Sequence, residues 1–186
     1  ALLEEVLAGL RLVFGVQGDI LTFPGSGTVG LEAAIVNTLS PGDRVLSVSI
    51  GHFGDRFARI ASDFGVDVIH LDFPWGQAAQ PEAVAQRLQL DPSIRAVLVT
   101  HNETSTGVAN DLKAIAQVVR QTPALLIVDA VSSLAALPLP ADEWGLDVVV
   151  TGSQKALMVP TGLALVSMNG RAWQANKMAR MPRHYW

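Results

Sequence analysis

Lys155 stands in "VVVTGSQKALMVPTGLALV", a short polar turn between two strongly apolar stretches. The chain has only two other lysines, Lys113 and Lys177, and both have polar neighbours. A lysine usually carries its charge to solvent along its alkyl stem. One held among apolar residues gives up its proton more readily and becomes a nucleophile toward carbonyl carbon, the condition for a Schiff base. Asp129 poses the same question with the opposite sign: it ends the apolar run "ALLIV" and precedes "AVSS". A carboxylate left unpaired there is costly, so it calls for a cation, a hydrogen-bonding partner such as a helix N-terminus, or a metal. No His or acidic cluster at ligand spacing accompanies it, which ranks metal last. The third stretch, "PGSGTVGLEAA", is a glycine-rich turn opening a helix. Free N–H groups and the positive end of the helix dipole suit a phosphate there, with the hydroxyls of Ser26 and Thr28 beside them. The same residues also read as an ordinary turn with a Ser or Thr cap, since neither the Walker lysine nor the full dinucleotide fingerprint is present.

The elements that must position these groups alternate between β-branched runs and segments of helical period, the pattern of an α/β fold with a mainly parallel sheet. A helix runs to Phe14, and strands are expected at 20–24, 44–50, 66–73, 95–101, 124–133, 147–155 and 162–169. Helices are expected at 29–39, 53–65, 81–90 and 111–122, with another beginning at Arg171. Polar residues gather just after strands: "GSGT", "HNETSTG", the D of "IVDA" and "GSQK". The C-terminal strand ends of a parallel sheet share one edge, where open α/β sheets bind ligands, so the four are expected around one crevice.

Composition narrows the classes of function. A chain of 186 residues fits one domain with a real core. It has no cysteine, which removes a disulfide framework, a thiolate metal site and a cysteine nucleophile, and suits a cytoplasmic location. A net charge of −4 and the lack of a basic run with interleaved aromatics argue against nucleic acid. The hydrophobic share is 49%, but its runs are too short to cross a bilayer, so no membrane partner is expected. Both ends look cut from a longer protein. One ligand uses a phosphate cradle, a buried carboxylate and a reactive lysine together: pyridoxal phosphate, whose aldehyde bonds the lysine and whose ring nitrogen is kept protonated by an Asp.

At this point the sequence resembles a family. "IVDAVSSLAALPLPADEWGLDVVVTGSQKAL", "GSGTVGLEAAIVNTLSPGDRVL", "GHFGDRFARIA" and "THNETSTGV" are similar, in order and spacing, to the class V aminotransferases of pyridoxal-phosphate fold type I. The resemblance is closest to the alanine–glyoxylate and serine–glyoxylate (serine–pyruvate) group. It implies a three-layer α/β/α large domain across residues 1–186, with a small C-terminal domain outside the chain. It further implies that Lys155 bonds the cofactor and moves the proton between the substrate α-carbon and the cofactor C4′, while Asp129 pairs with the ring nitrogen. Ser26, Gly27, Thr28 and Gln154 would hold the phosphate, Phe53 and Val131 would cover the two ring faces, and Thr104 would bond the phenolic oxygen. His52, beside Phe53, is the rival for the stacking position. Phe53 and Val131 also read as core residues, and Thr104 as a turn residue. His184 and Tyr185 would approach the substrate entrance.

The implied activity moves an amino group from alanine or serine to glyoxylate or pyruvate, in a homodimer with shared active sites. Cysteine desulfurases of the same class carry a His before the lysine, where this chain has Gln154, and use a Cys that it lacks. Phosphoserine aminotransferase would need a second anion site, for which no basic cluster is evident. A non-catalytic aminotransferase-like protein is the third alternative. A nucleotide site at "GSGT" would need an acidic residue after the next strand, and Asp43 lies before it.

Overall fold

The structure, a computed structural model, describes residues 2–183. In chain order the elements are α1 (Leu2–Phe14), β1 (Ile20–Pro24), α2 (Gly27–Thr38), β2 (Arg44–Ser49), α3 (His52–Asp63) and β3 (Asp67–Asp72). They continue with α4 (Pro81–Leu90), β4 (Ile94–Thr100), β5 (Asn102–Glu103), β6 (Val108–Ala109) and α5 (Leu112–Val119). The last are β7 (Leu125–Asp129), α6 (Ala141–Trp144), β8 (Val148–Gly152), β9 (Leu163–Met168) and α7 (Gly170–Met178). Sequence reading missed the two-residue strands of the β5–β6 hairpin and the four-residue α6, because elements that short have no periodicity to read.

Seven strands form one sheet in the order β1-β9-β8-β7-β4-β2-β3. β9 runs against both β8 and β1, while the pairs from β8 to β3 are parallel. β1 therefore points the same way as β8, β7 and β4, and its C-terminal end reaches the same sheet edge as theirs.

Alternating strand residues feed two cores, as the period of two demands. Leu126, Val128, Val97, Val99 and Val149 pack with α4 and α5 through Val84, Leu88, Leu112 and Ile115. Leu125, Ile127, Ala96, Leu98, Val148 and Val150 pack on the other face with Leu31, Ile35, Phe57 and Ile60 of α2 and α3. The result is a three-layer α/β/α fold. The alternation continues past the apolar residues, so Asp129 at the end of β7 falls on the α2/α3 face with Leu125 and Ile127. At the opposite edge of the sheet the buried Asp147 accepts hydrogen bonds from Leu126 N (2.8 Å) and Asn169 Nδ2 (2.8 Å). Arg171 lies 3.5 Å from the same carboxylate, and its burial still pushes the Asp147 pKa up. No helix among the described residues is long and apolar enough to cross a membrane.

Candidate active site

β7 delivers Asp129 to the sheet edge with 4% of its surface exposed. Its Oδ1 accepts from Val131 N at 2.9 Å, and no hydrogen bond reaches Oδ2 among the described residues. Burial pushes the carboxyl up to about 6; the Val131 N–H opposes this, the negative charge of Glu103 adds to it, and the charges of Arg56 and Lys155 oppose it. This is a carboxylate short of a cation.

The N-terminus of α2 meets the same place. Ser26 is the N-cap residue, yet its hydroxyl makes no capping bond, and the N–H groups of Gly27 and Thr28 have no acceptor among the described residues. A Cβ on Gly27 would lie 2.6 Å from Val131 Cγ2, so only a residue without a side chain lets the first turn of α2 seat against the end of β7. Gln154 folds back toward this turn: a point one Cβ bond from Gly152 would be 2.9 Å from Gln154 Oε1 and 3.5 Å from Gly27 N. The helix opening, the carboxylate strand and the lysine turn therefore converge, as the strand order requires. The fit can be tested through Gly27→Ala. Overpacking against Val131 is expected to destabilise the chain by about 1–3 kcal/mol, against a helix-propensity gain of at most about 1 kcal/mol. Adding Val131→Ala should recover most of the loss in urea unfolding.

Lys155 requires a correction. The flanking apolar sequence suggested a desolvated amine, but Lys155 and Gln154 are exposed. Of the apolar residues that raised the expectation, some belong to β8 and β9, while Met158 and Val159 share the loop with Lys155 and are themselves exposed, Met158 at 88%. The neck of this loop is firmly closed. Buried Ser153 donates its hydroxyl to Pro160 O (2.7 Å) and accepts from Leu163 N (3.3 Å). Gly25 N donates to Gly162 O at 2.7 Å, tying the glycine-rich turn to the far end of the lysine loop.

Phe53 is the second residue of α3, half-buried, with the His52 ring edge-on at 5.3 Å. Thr104 is exposed on the turn between β5 and β6. Val131 is half-buried between Asp129 and Gly27. His101, also buried, lies edge-on to Trp144 on the opposite side of the sheet, where burial holds it down to about 4. His184 and Tyr185 lie outside the described residues.

Glu103 escaped the sequence reading although it is completely buried and touches α3 directly. The signal was the absence of a Ser, Thr, Asp or Asn immediately before α3: the N-cap is Gly51, so the helix needs an acceptor from elsewhere.

These residues fit pyridoxal phosphate: open N–H groups at a helix start, a buried carboxylate with one oxygen unbonded, and a lysine at the same edge. The fold matches the large domain of fold type I pyridoxal-phosphate enzymes. The family model for aminotransferase class V matches residues 1–180, and the chain belongs to that family. A serine–glyoxylate aminotransferase from Arabidopsis thaliana is 43% identical over 97% of this chain and 46% of its own length. A protein named soluble hydrogenase 42 kDa subunit, from Anabaena cylindrica, is 46% identical over 99% of this chain and 49% of its own length. The crystal structure of an alanine–glyoxylate aminotransferase from Nostoc sp. superposes with a TM-score of 0.91 at 32% identity, covering 96% of this chain and 47% of that one. The chain thus spans about half the length of the relatives it matches.

Proposed function

We propose that the chain is the cofactor-binding large domain of a pyridoxal-phosphate-dependent transaminase that moves an amino group from a small amino acid, such as alanine or serine, to glyoxylate or pyruvate. The observation that carries this reading is Asp129, buried at the strand edge with an unbonded oxygen, beside an α2 N-terminus with free N–H groups. When bound, the cofactor supplies an electron-withdrawing ring that acidifies the substrate α-carbon. Asp129 would hold the proton on the ring nitrogen, and that cation would in turn favour the ionised carboxylate that burial disfavours. Ser26, Gly27 and Thr28 would bind the phosphate through backbone N–H groups and hydroxyls, with Gln154 reaching the same group. Phe53 and Val131 would confine the ring, and Thr104 would donate to its phenolic oxygen. Lys155 would carry the cofactor, then remove the α-proton of the amino donor and return a proton to the α-carbon of the acceptor.

Glyoxylate as acceptor is supported by the names of the Arabidopsis and Nostoc proteins. The Anabaena protein's name points elsewhere. This chain, however, has no cysteine, and no three His, Cys, Asp or Glu gather as metal ligands among its described residues. Exposed Met158, Val159 and Leu163 around the lysine loop favour a homodimer that covers this edge, and the lack of cysteine suits the cytoplasm. The test is borohydride reduction of the full-length protein after incubation with pyridoxal phosphate, followed by peptide mapping. Label confined to Lys155 is the expected result. No label, or label spread over Lys113 and Lys177, would overturn the assignment in favour of a non-catalytic domain.

A further inference from the structure

The first turn of α3 and the turn after β5 are held together by one carboxylate. Glu103 Oε2 accepts from Phe53 N (3.0 Å) and Gly54 N (3.1 Å), while Oε1 accepts from Ser105 N (3.0 Å) and Ser105 Oγ (2.6 Å). Ser105 Oγ in turn accepts from His52 N at 3.1 Å. Three successive N–H groups of α3 that no intrahelical carbonyl can reach are thus satisfied from a segment 50 residues further along the chain. The approach is close: a Cβ on Gly51 would lie 2.7 Å from both Glu103 Cγ and Ser105 Oγ, so a glycine at the N-cap is what admits the carboxylate. The turn itself closes through Gly107 N, which donates to Glu103 O at 2.8 Å.

The clamp's two ends carry different proposed contacts. Oε2 fixes the backbone of Phe53, and Oε1 fixes the residue that follows Thr104. We propose that Glu103 is a positioning residue that sets the spacing between Phe53 and Thr104, and through it the grip on the aromatic ring of the ligand that these two residues contact. The inference rests on the reading above, in which Phe53 covers the ring and Thr104 meets its phenolic oxygen. A carboxylate suits the position better than an amide. It offers two acceptor oxygens to four donors, whereas the amide nitrogen of a glutamine would face donors at one end or the other. Its position at the helix N-terminus also makes the negative charge favourable. That charge lies near enough to raise the proton affinity of Asp129 as well, so the clamp contributes to the electrostatics of the crevice it shapes.

The experiment compares wild-type full-length protein with Glu103→Ala, Glu103→Gln, Phe53→Ala and the Glu103→Ala/Phe53→Ala pair. It reads the pyridoxal-phosphate dissociation constant by cofactor quenching of tryptophan fluorescence, and amide hydrogen exchange at Phe53 and Gly54 without cofactor. Loss of the clamp should weaken cofactor binding roughly tenfold and speed exchange at both amides by at least about tenfold. The double variant should fall clearly short of the sum of the two single losses, because Glu103 acts in part through Phe53. Glu103→Gln, which keeps the side-chain volume, should give the same effects in smaller measure, so a folding failure of the alanine variant does not decide the matter. Cofactor affinity within twofold of wild type in both Glu103 variants, whatever their thermal stability, would overturn the proposal alone, as would effects of Glu103→Ala and Phe53→Ala that simply add. Wild-type protein that takes up no cofactor would overturn the proposed function and this inference together.

Discussion

Asp129→Asn is expected to make the cofactor-free chain more stable at pH 7 while lowering transamination by about 10²–10³-fold. The carboxyl of Asp129 is pushed from 3.8 to about 6 by burial, against the Val131 N–H. As the pH rises through that interval the unfolded chain releases its proton while the folded chain retains it, so stability falls. Above about pH 6 the full penalty, on the order of 3 kcal/mol, is present. Asparagine is nearly the same size, keeps an oxygen for Val131 N–H, and carries no charge to desolvate. Its stabilising effect should be absent only below about pH 3, partial at pH 4.5 and complete by pH 7. Burial also raises the carboxyl of Asp147, but equally in both proteins, so the difference between variant and wild type isolates Asp129. Urea unfolding of both proteins at pH 4.5 and 7 measures it. Equal midpoints at pH 7 would show that Asp129 is not strained by its burial. A stabilised variant with unchanged turnover would remove Asp129 from the ring nitrogen. The expected pairing of gain and loss is the signature of a residue retained for function at the expense of stability.

The larger loss of rate is expected from Lys155→Ala. A lysine that both carries the cofactor and moves the α-proton should, when truncated, lower turnover by at least about 10³-fold. The phosphate contacts proposed at Ser26, Gly27 and Thr28 come from a different element and should still hold the cofactor non-covalently. The exposed loop around Lys155 lets the substitution leave the core untouched, so thermal stability without cofactor should change by no more than about 0.5 kcal/mol. A small primary amine added to the variant should restore part of the turnover, since it can stand in for the missing ε-amine. Turnover near the wild-type level would sink the mechanism. Cofactor binding lost in proportion to turnover would show that the aldehyde bond, rather than the phosphate cradle, dominates affinity.

The strands and the two-sided core were legible because β-branched runs of five to seven residues with polar ends have few other interpretations. Asp129 was legible for the same reason, as a charge at the end of an otherwise apolar strand. Lys155 misled because sequence adjacency was taken for burial: Met158 and Val159 share its loop and are themselves exposed, and the buried apolar residues on either side sit in β8 and β9. Glu103 was illegible for the converse reason. "NETSTG" is polar at almost every position, and nothing local distinguishes the one side chain that turns inward to cap a distant helix. Burial of a polar residue in a polar turn is decided by which donors the fold brings to it, and these came from α3.

The reversed strand β9 bears on how the chain is made. β1 pairs only with β9, so Ile20–Pro24 finds its place against Leu163–Met168 and nowhere else in the sheet. A pairing of that sequence separation is slow to form, and during synthesis it cannot form until β9 has left the ribosome. The glycine-rich turn at the end of β1 is translated well over 100 residues before β9 and would remain without its strand partner until β9 has emerged. The nascent chain should therefore gain cofactor affinity abruptly once β9 has emerged rather than gradually with length.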